Sequence, residues 1–372
     1  MLTDPDIAIL LTGILVGCAS ALLGPFLILR QNAMLSDAIS HAIVFGIMLT
    51  WLLTGLVSGP VQILGAGLSG VLCVWLIEAL TRTGRIKEDA AIGLVFPALF
   101  AAGVLMLNVF ARNVHIDVHT VLLGEIGFVW LDTVAVAGIE MPNAVLWMGA
   151  VFLVNLVFVM LFWKELKLGT FDPTLAAAFG LHPRLLFYGL LLLTSITAVA
   201  AFDAVGAILF IAFIIVPPAT AYLLTDRLAW MVGLGMLTSV ASVFAGYALA
   251  VAWDVSISGM MALMTGAFLM AAITFGPRYG LVPRAWRYRA DRERNDVRAL
   301  MVHLHTHESG SDRAEENVSD ALITHLNWPE IRAKTVMRRA VNSGLVLHDG
   351  GVLELTDQGR DMARTLLEPW RR

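Results

Sequence analysis

The chain has 372 residues, of which 58% are hydrophobic and 15% charged, with a formal net charge of -4. Apolar residues fall in runs of about 20 divided by short polar or basic breaks, the length a helix needs to cross a hydrocarbon core, which excludes an ordinary soluble globular protein. The weakly negative balance excludes a dominant nucleic-acid surface. The expected architecture is an all-α polytopic membrane protein with about eight or nine transmembrane helices, followed by a small cytoplasmic α+β tail.

The opening MLTDPD has no basic n-region, so the apolar run behind it reads as the first span and not as a cleavable signal. Spans are predicted near 6–30, 34–57, 60–82, 90–110, 144–165, 184–202, 205–224, 228–252 and 256–276. With the N-terminus outside, the internal loops hold Arg30, then Arg82, Arg85 and Lys87, then Lys164, Lys167 and Arg184, then Arg227, then Arg278 and Arg284. The external loops keep only Arg112, so the positive-inside rule places the start outside and the end in the cytoplasm. Pro217-Pro218 predict that the span over 205–224 is broken or only partly inserted. Cys18 and Cys73 fall within spans and read as small packing residues.

The second span contains MLSDAISHAIVFG, residues 34–46. Asp37 and His41 are four apart and share one helix face. At about 1.5 Å per residue from Arg30 they lie roughly 10 and 16 Å deep, close to the midplane at ~15 Å. Ionisable groups at that depth are costly unless they face a partner or a polar path, so the pair reads as a metal site on a transport route. One carboxylate with one imidazole suits manganese, with zinc or iron(II) as neighbours; no thiolate pair of the kind copper(I) favours accompanies it. A plain helix N-cap at Ser36-Asp37 would explain the aspartate and leave His41 without a reason.

Between Ala111 and Asn143 an external segment carries HIDVH, whose His115, Asp117 and His119 would point one way on a strand and offer ligands to an entering cation. Glu125 and Asp203 lie near external span ends, where they read first as solvated surface charges and second as added negative potential at a vestibule. The inner loop LKLGTFDPTLAAAFGLHP, residues 166–183, starts a short helix at Asp172-Pro173 and stops it at Gly180. Its small surface residues would let another protein pack closely; the alternative is a plain connector. The chain has no GxxxxGK[ST] phosphate loop, so energy must come from a partner or an ion gradient, and the chain reads as a transporter and not an enzyme.

Domain boundaries are expected at 1–285 for the membrane part, 286–296 for a charged linker WRYRADRERND, and 297–372 for the tail. The tail reads as three helices, a hairpin around Asp349-Gly350-Gly351 and a last helix, a winged-helix pattern. Its HLHTHE run puts His303, His305 and His307 at alternate positions beside Glu308, candidate ligands for a cytoplasmic metal. Arg332, Lys334, Arg338 and Arg339 form a basic helix that could face DNA, another protein or anionic lipid, and nucleic acid is the least expected of these.

Three stretches in order resemble one family: LILRQNAMLSDAISHAIVFG, KEDAAIGLVFPALFAAGV and GAILFIAFIIVPPATA are similar to motifs of the membrane permeases of ATP-driven importers for zinc, manganese and iron. The likeness covers about residues 6–277. It implies that Asp37 and His41 match the metal-coordinating pair of the pathway. It also implies that FDPTLAAAFGLHP is the helix that docks on a cytoplasmic ATPase, with Ala176, Ala177 and Gly180 at the small positions. The implied partners are that ATPase, which binds the ATP, an extracytoplasmic metal-binding protein, a second permease copy and the lipid of a bacterial cytoplasmic membrane. The metal is cargo, and no prosthetic group is implied. Phe45 stands where the family usually has proline. The tail resembles the winged helix of metal-dependent repressors of the diphtheria-toxin-repressor type, through GLVLHDGGVLELTDQGRDMA. Two other classes remain open: a proton-coupled carrier using Asp37 and His41 as a relay, and a membrane-anchored metal-responsive regulator.

Overall fold

The computed structural model describes residues 4–31, 33–55, 60–110, 124, 126–136, 139–308, 316–349 and 351–368. It divides into two compact units, Met1–Gly280 and Leu281–Arg372.

The first unit is built from helices α1 (Pro5–Leu29), α2 (Ala33–Thr54), α3 (Pro60–Thr81) and α4 (Glu88–Phe110), then a hairpin of β1 (Thr133–Val136) and β2 (Ile139–Pro142). After these come α5 (Asn143–Leu161), α6 (Trp163–Phe171), α7 (Pro173–Ala178), α8 (Pro183–Leu224), α9 (Leu228–Trp253) and α10 (Ile257–Phe275). Among the described residues eight helical segments are long and apolar enough to cross a membrane, and α2 adds the shorter apolar stretch Ala38–Thr54. Each span position expected from hydropathy falls on one of these segments. The hairpin of β1 and β2, with Val136 opposite Ile139, was not anticipated.

A straight helix of 42 residues like α8 would run about 63 Å, twice a hydrocarbon core of ~30 Å. Gly206, at φ 81 and ψ 167, breaks it into two spans, Pro183–Phe202 and Ala204–Leu224. This corrects the expectation of a break at the proline pair. The helix continues through Pro217 and Pro218, and the Ile214 carbonyl that Pro218 cannot satisfy, having no N–H, is covered by Gly24 of α1. A Cβ on Gly24 would overlap both Ile214 O and the Pro218 ring. Gly124, at φ 67, lies equally close to the backbone of Val205 and Gly206, on top of the break.

Lipid tails are as apolar as leucine, so helices in a membrane associate through close packing of small residues more than through hydrophobic burial. Gly13 and Gly17 of α1, one turn apart, meet Val243 and Ser239 of α9: a Cβ on Gly17 would sit 2.9 Å from Ser239 Cβ, and one on Gly13 3.1 Å from Val243 Cγ1. Gly246 of α9 lies against the backbone of Met261 on α10. Cys18 and Cys73 are buried free thiols.

The second unit consists of α11 (Leu281–Thr306), α12 (Ser319–His325), α13 (Glu330–Asn342), an antiparallel hairpin of β3 (Val346–Asp349) and β4 (Val352–Leu355), and α14 (Asp357–Leu367). Residues 286–296, expected as a linker, lie inside α11. The reason is amphipathicity: Leu300, Met301 and Leu304 are buried, and Asp296 on the same helix is tied to Arg332 of α13 by contacts of 2.8 and 2.5 Å. Gly344 at φ 67 ends α13, and Thr356 caps α14 by accepting from Gly359 N at 3.1 Å.

One position tests the packing account of the first unit. A Cβ on Gly103 of α4 would stand 2.8 Å from the backbone nitrogen of Phe45 on α2, whereas one on Gly93 of the same helix would meet nothing within 4 Å. Gly103→Leu is expected to lower thermal stability in detergent by at least the ~1–3 kcal/mol of an overpacked core, with Gly93→Leu close to wild type. Equal melting of the two variants would show that α2 and α4 do not depend on this approach.

Candidate functional site

The helix that carries Asp37 and His41 is held on several sides. Carbonyls of Ala38, Ala42 and Gly46, spaced one turn apart along α2, accept from Cys73 Sγ at 4.0 Å, from Ser69 Oγ at 3.0 Å and from Thr50 Oγ1 at 2.8 Å. Two of these donors come from α3, which Gly65 brings close beneath Thr50, so a polar seam fixes the rotation of α2 against α3. Gly103 admits α4, and Gly70 of α3 closes on Ile39 and on Ser195 of α8. Thr50 and Ser69 also show why hydroxyls are tolerated here: each donates to a backbone carbonyl and leaves no buried O–H unpaired.

His41 is half-buried on a face away from that seam. Its ring stacks on Phe96 at 5.5 Å and 26°, and meets Phe100 edge-on at 5.8 Å and 78°. Two aromatic walls restrict the imidazole rotamer and exclude water from part of the ring. Phe96 and Phe100 escaped the sequence reading, although their spacing of four on α4 within VFPALF puts both on one helix face. Asp37 stands one turn before His41 on α2; its side chain lies outside the described residues. The helix runs unbroken through Phe45, the position where proline was expected by resemblance.

His115, Asp117, His119 and Glu125 lie outside the described residues, as does the side chain of Asp203 on α8.

The loop expected to dock a partner is α7. Asp172 Oδ1 accepts from Leu175 N at 2.8 Å at its start; at its end Gly180 N donates to Ala177 O at 3.0 Å, Leu181 N donates to Ala176 O at 3.1 Å, and Gly180 is at φ 78. These bonds make a helix closed by a left-handed glycine. Ala176 is 1% exposed, so it faces inward and is not a surface position, a correction to the expected trio. The exposed face has Leu175, Ala177 and Gly180, with Phe179 at 72% exposure. Beside it is a cleft of about 610 Å³ lined by Arg30, Thr174, Ala177, His182, Arg184 and Phe187. Arg30 is fixed there by Nη2 donating to Gly169 O at 2.7 Å and by its place 4.7 Å over the Phe187 ring.

In the second unit the alternating histidines separate, because a helix repeats every 3.6 residues and not every two. His303 and His307 share a face, with ring centroids 4.9 Å apart. His305 faces elsewhere: its Nδ1 is 3.2 Å from Glu308, which also accepts from Arg360 Nε at 2.5 Å. Burial opposes charge on Glu308, but the bonds from Arg360 and His305 prevail and hold its carboxyl below the usual range. Burial lowers the His303 pKa, which keeps the ring neutral near pH 7. Of the four basic residues on α13, Arg332 is paired with Asp296 and lies over Trp328, Lys334 pairs with Glu330, and Arg339 Nη1 lies 2.8 Å from Glu293. Little of that helix's charge is left unneutralised.

The sequence profile described as the ABC 3 transport family matches residues 7–276. The chain is 43% identical to the zinc transport system membrane protein TroD of Treponema pallidum, over 97% of this chain and 98% of that protein. It is 44% identical to the manganese transport system membrane protein MntD of Bacillus subtilis, over 75% of this chain and 95% of the relative. Among solved structures it resembles PsaBC from Streptococcus pneumoniae in complex with Fab, with a TM-score of 0.62 and 28% identity over 73% of this chain and 91% of that one.

Proposed function

Because the chain belongs to the ABC 3 transport family and is a membrane permease subunit of that class, we propose that its cargo is a divalent metal cation, manganese first, with zinc or iron(II) as neighbours. Asp37 and His41 are the proposed ligands. The observation that carries this reading is the imidazole of His41, set between Phe96 and Phe100 one turn from a carboxylate, on a helix whose rotation is fixed by α3 and α4. A carboxylate and a neutral imidazole exchange with the hydration shell of a borderline cation. A second copy of the permease across a dimer axis would double the set.

In this reading an extracytoplasmic binding protein delivers the ion, and a cytoplasmic ATPase supplies the energy by docking on α7. Leu175 and Phe179 offer apolar contact there, while Ala177 and Gly180 allow close approach. In this reading the N-terminus lies outside and the second unit in the cytoplasm, an orientation supported by the distribution of lysine and arginine. That unit is a winged-helix tail of the metal-dependent repressor type, and its paired arginines disfavour DNA as its ligand. A proton-coupled carrier would need no exposed apolar docking helix; a co-purifying ATPase separates the two.

Asp37→Ala and His41→Ala are each expected to abolish manganese uptake in a reconstituted complex while leaving assembly intact. Wild-type uptake by both variants would remove the pair from the path.

Ala177→Trp is expected to leave the permease folded but to uncouple ATP hydrolysis from uptake, since a bulky side chain on that face blocks docking. Replacement of Gly180 would also strain the turn at φ 78, so Ala177 is the cleaner probe. Unchanged ATPase stimulation and uptake in Ala177→Trp would make α7 a connector only.

A further inference from the structure

The face of α11 that holds His303 and His307 meets Glu316, just ahead of α12. One ligand atom from each of the three lies within 4.8 Å of the other two. A cation at the centre of such a triangle would be no more than about 2.8 Å from each atom, and zinc bonds to imidazole nitrogen and carboxylate oxygen are ~2.0–2.2 Å. The side chains therefore need to close by less than ~1 Å, within the reach of small torsional adjustments. A fourth group is adjacent: His325, at the end of α12, packs its ring 6.2 Å from that of His303 and places Nδ1 against Glu316 Oε2.

Two further observations point to a cation as the ligand of this cluster. Glu316 Oε2 is buried and accepts no hydrogen bond, and the group that lies against it is the His325 ring nitrogen, itself a ligand atom. A buried oxygen in that state is costly unless a cation faces it. In addition, His303 Nε2 lies 3.3 Å from the Glu316 carbonyl oxygen, a contact that needs a proton on that nitrogen and leaves the other ring nitrogen with its lone pair. Metal-bound histidines are oriented by this kind of outer hydrogen bond.

We infer that His303, His307 and Glu316, with His325 as the fourth group, form a binding site for a first-row divalent cation in the second unit, separate from the transport path. The His-x-x-x-His spacing on one helix, the dominance of imidazole and the small ligand number favour zinc over manganese, which prefers six oxygens. His305 takes no part. An ion held there would clasp the C-terminal end of α11 to both ends of α12, and its binding energy would stabilise the unit. The site itself does not depend on the identity of the cargo; a role in sensing imported metal rests on the proposed transport function.

The test uses the full-length protein, purified in detergent, stripped of metal and titrated with zinc chloride, with cobalt(II) as a spectroscopic probe. Wild type, His41→Ala and His305→Ala should all bind a zinc equivalent that His303→Ala/His307→Ala lacks, and should show a tetrahedral cobalt absorption that the double variant loses. Glu316→Gln, which keeps the shape of the side chain, should weaken that zinc by at least tenfold and guards against misfolding of the double variant. Retention of this equivalent by His41→Ala keeps the result independent of the path. Unaltered zinc stoichiometry and affinity in both the double variant and Glu316→Gln would overturn the site.

Discussion

The membrane unit depends on backbone-to-backbone approach at glycine. With no water to satisfy polar groups and no hydrophobic gradient between helix and lipid, helices hold together where small residues let main chains touch. Gly103 under Phe45, Gly24 over Ile214 and Gly246 against Met261 are three such points, and a side chain at any of them would drive two helices apart. Ser69 and Cys73 of α3 then donate into the α2 carbonyls and lock its rotation. The orientation of α2 decides which face His41 presents, so the candidate site inherits its geometry from this packing.

The same constraint explains how α8 can be both irregular and buried. Its break at Gly206 exposes peptide groups that a membrane would penalise, and the close approach of Gly124 covers them. The proline pair further along frees carbonyls without breaking the helix, because α1 packs over the one at Ile214 through Gly24. At both of these places the irregular backbone of α8 lies against other parts of the protein.

Much of this was legible in the sequence, for physical reasons that differ by element. The spans were readable because each is a run of apolar residues at bilayer length, and the Asp37 and His41 spacing because ionisable groups stand out against such a background. The break in α8 was misplaced because proline is a strong local breaker, whereas a tertiary contact overrode it and a single glycine did the work instead. Ala176 and Ala177 look alike in a row of alanines; only the fold shows that the first is buried. The alternating histidines suggested a trio that helical periodicity does not allow, and Glu316 and His325 enter only when α12 folds back on α11. The charged stretch 286–296 read as a linker because its buried face is narrow, yet the pairing of Asp296 with Arg332 makes it part of the second unit.

The central claim is that the His41 imidazole binds the transported ion directly. Pulsed electron paramagnetic resonance of manganese(II) bound to the assembled transporter tests it without reference to turnover. The account predicts a nitrogen-14 modulation from a coordinated imidazole in the wild-type complex, absent in His41→Ala and still present in His303→Ala/His307→Ala. A manganese spectrum free of nitrogen coupling in the wild type, or one unchanged by His41→Ala, would contradict it.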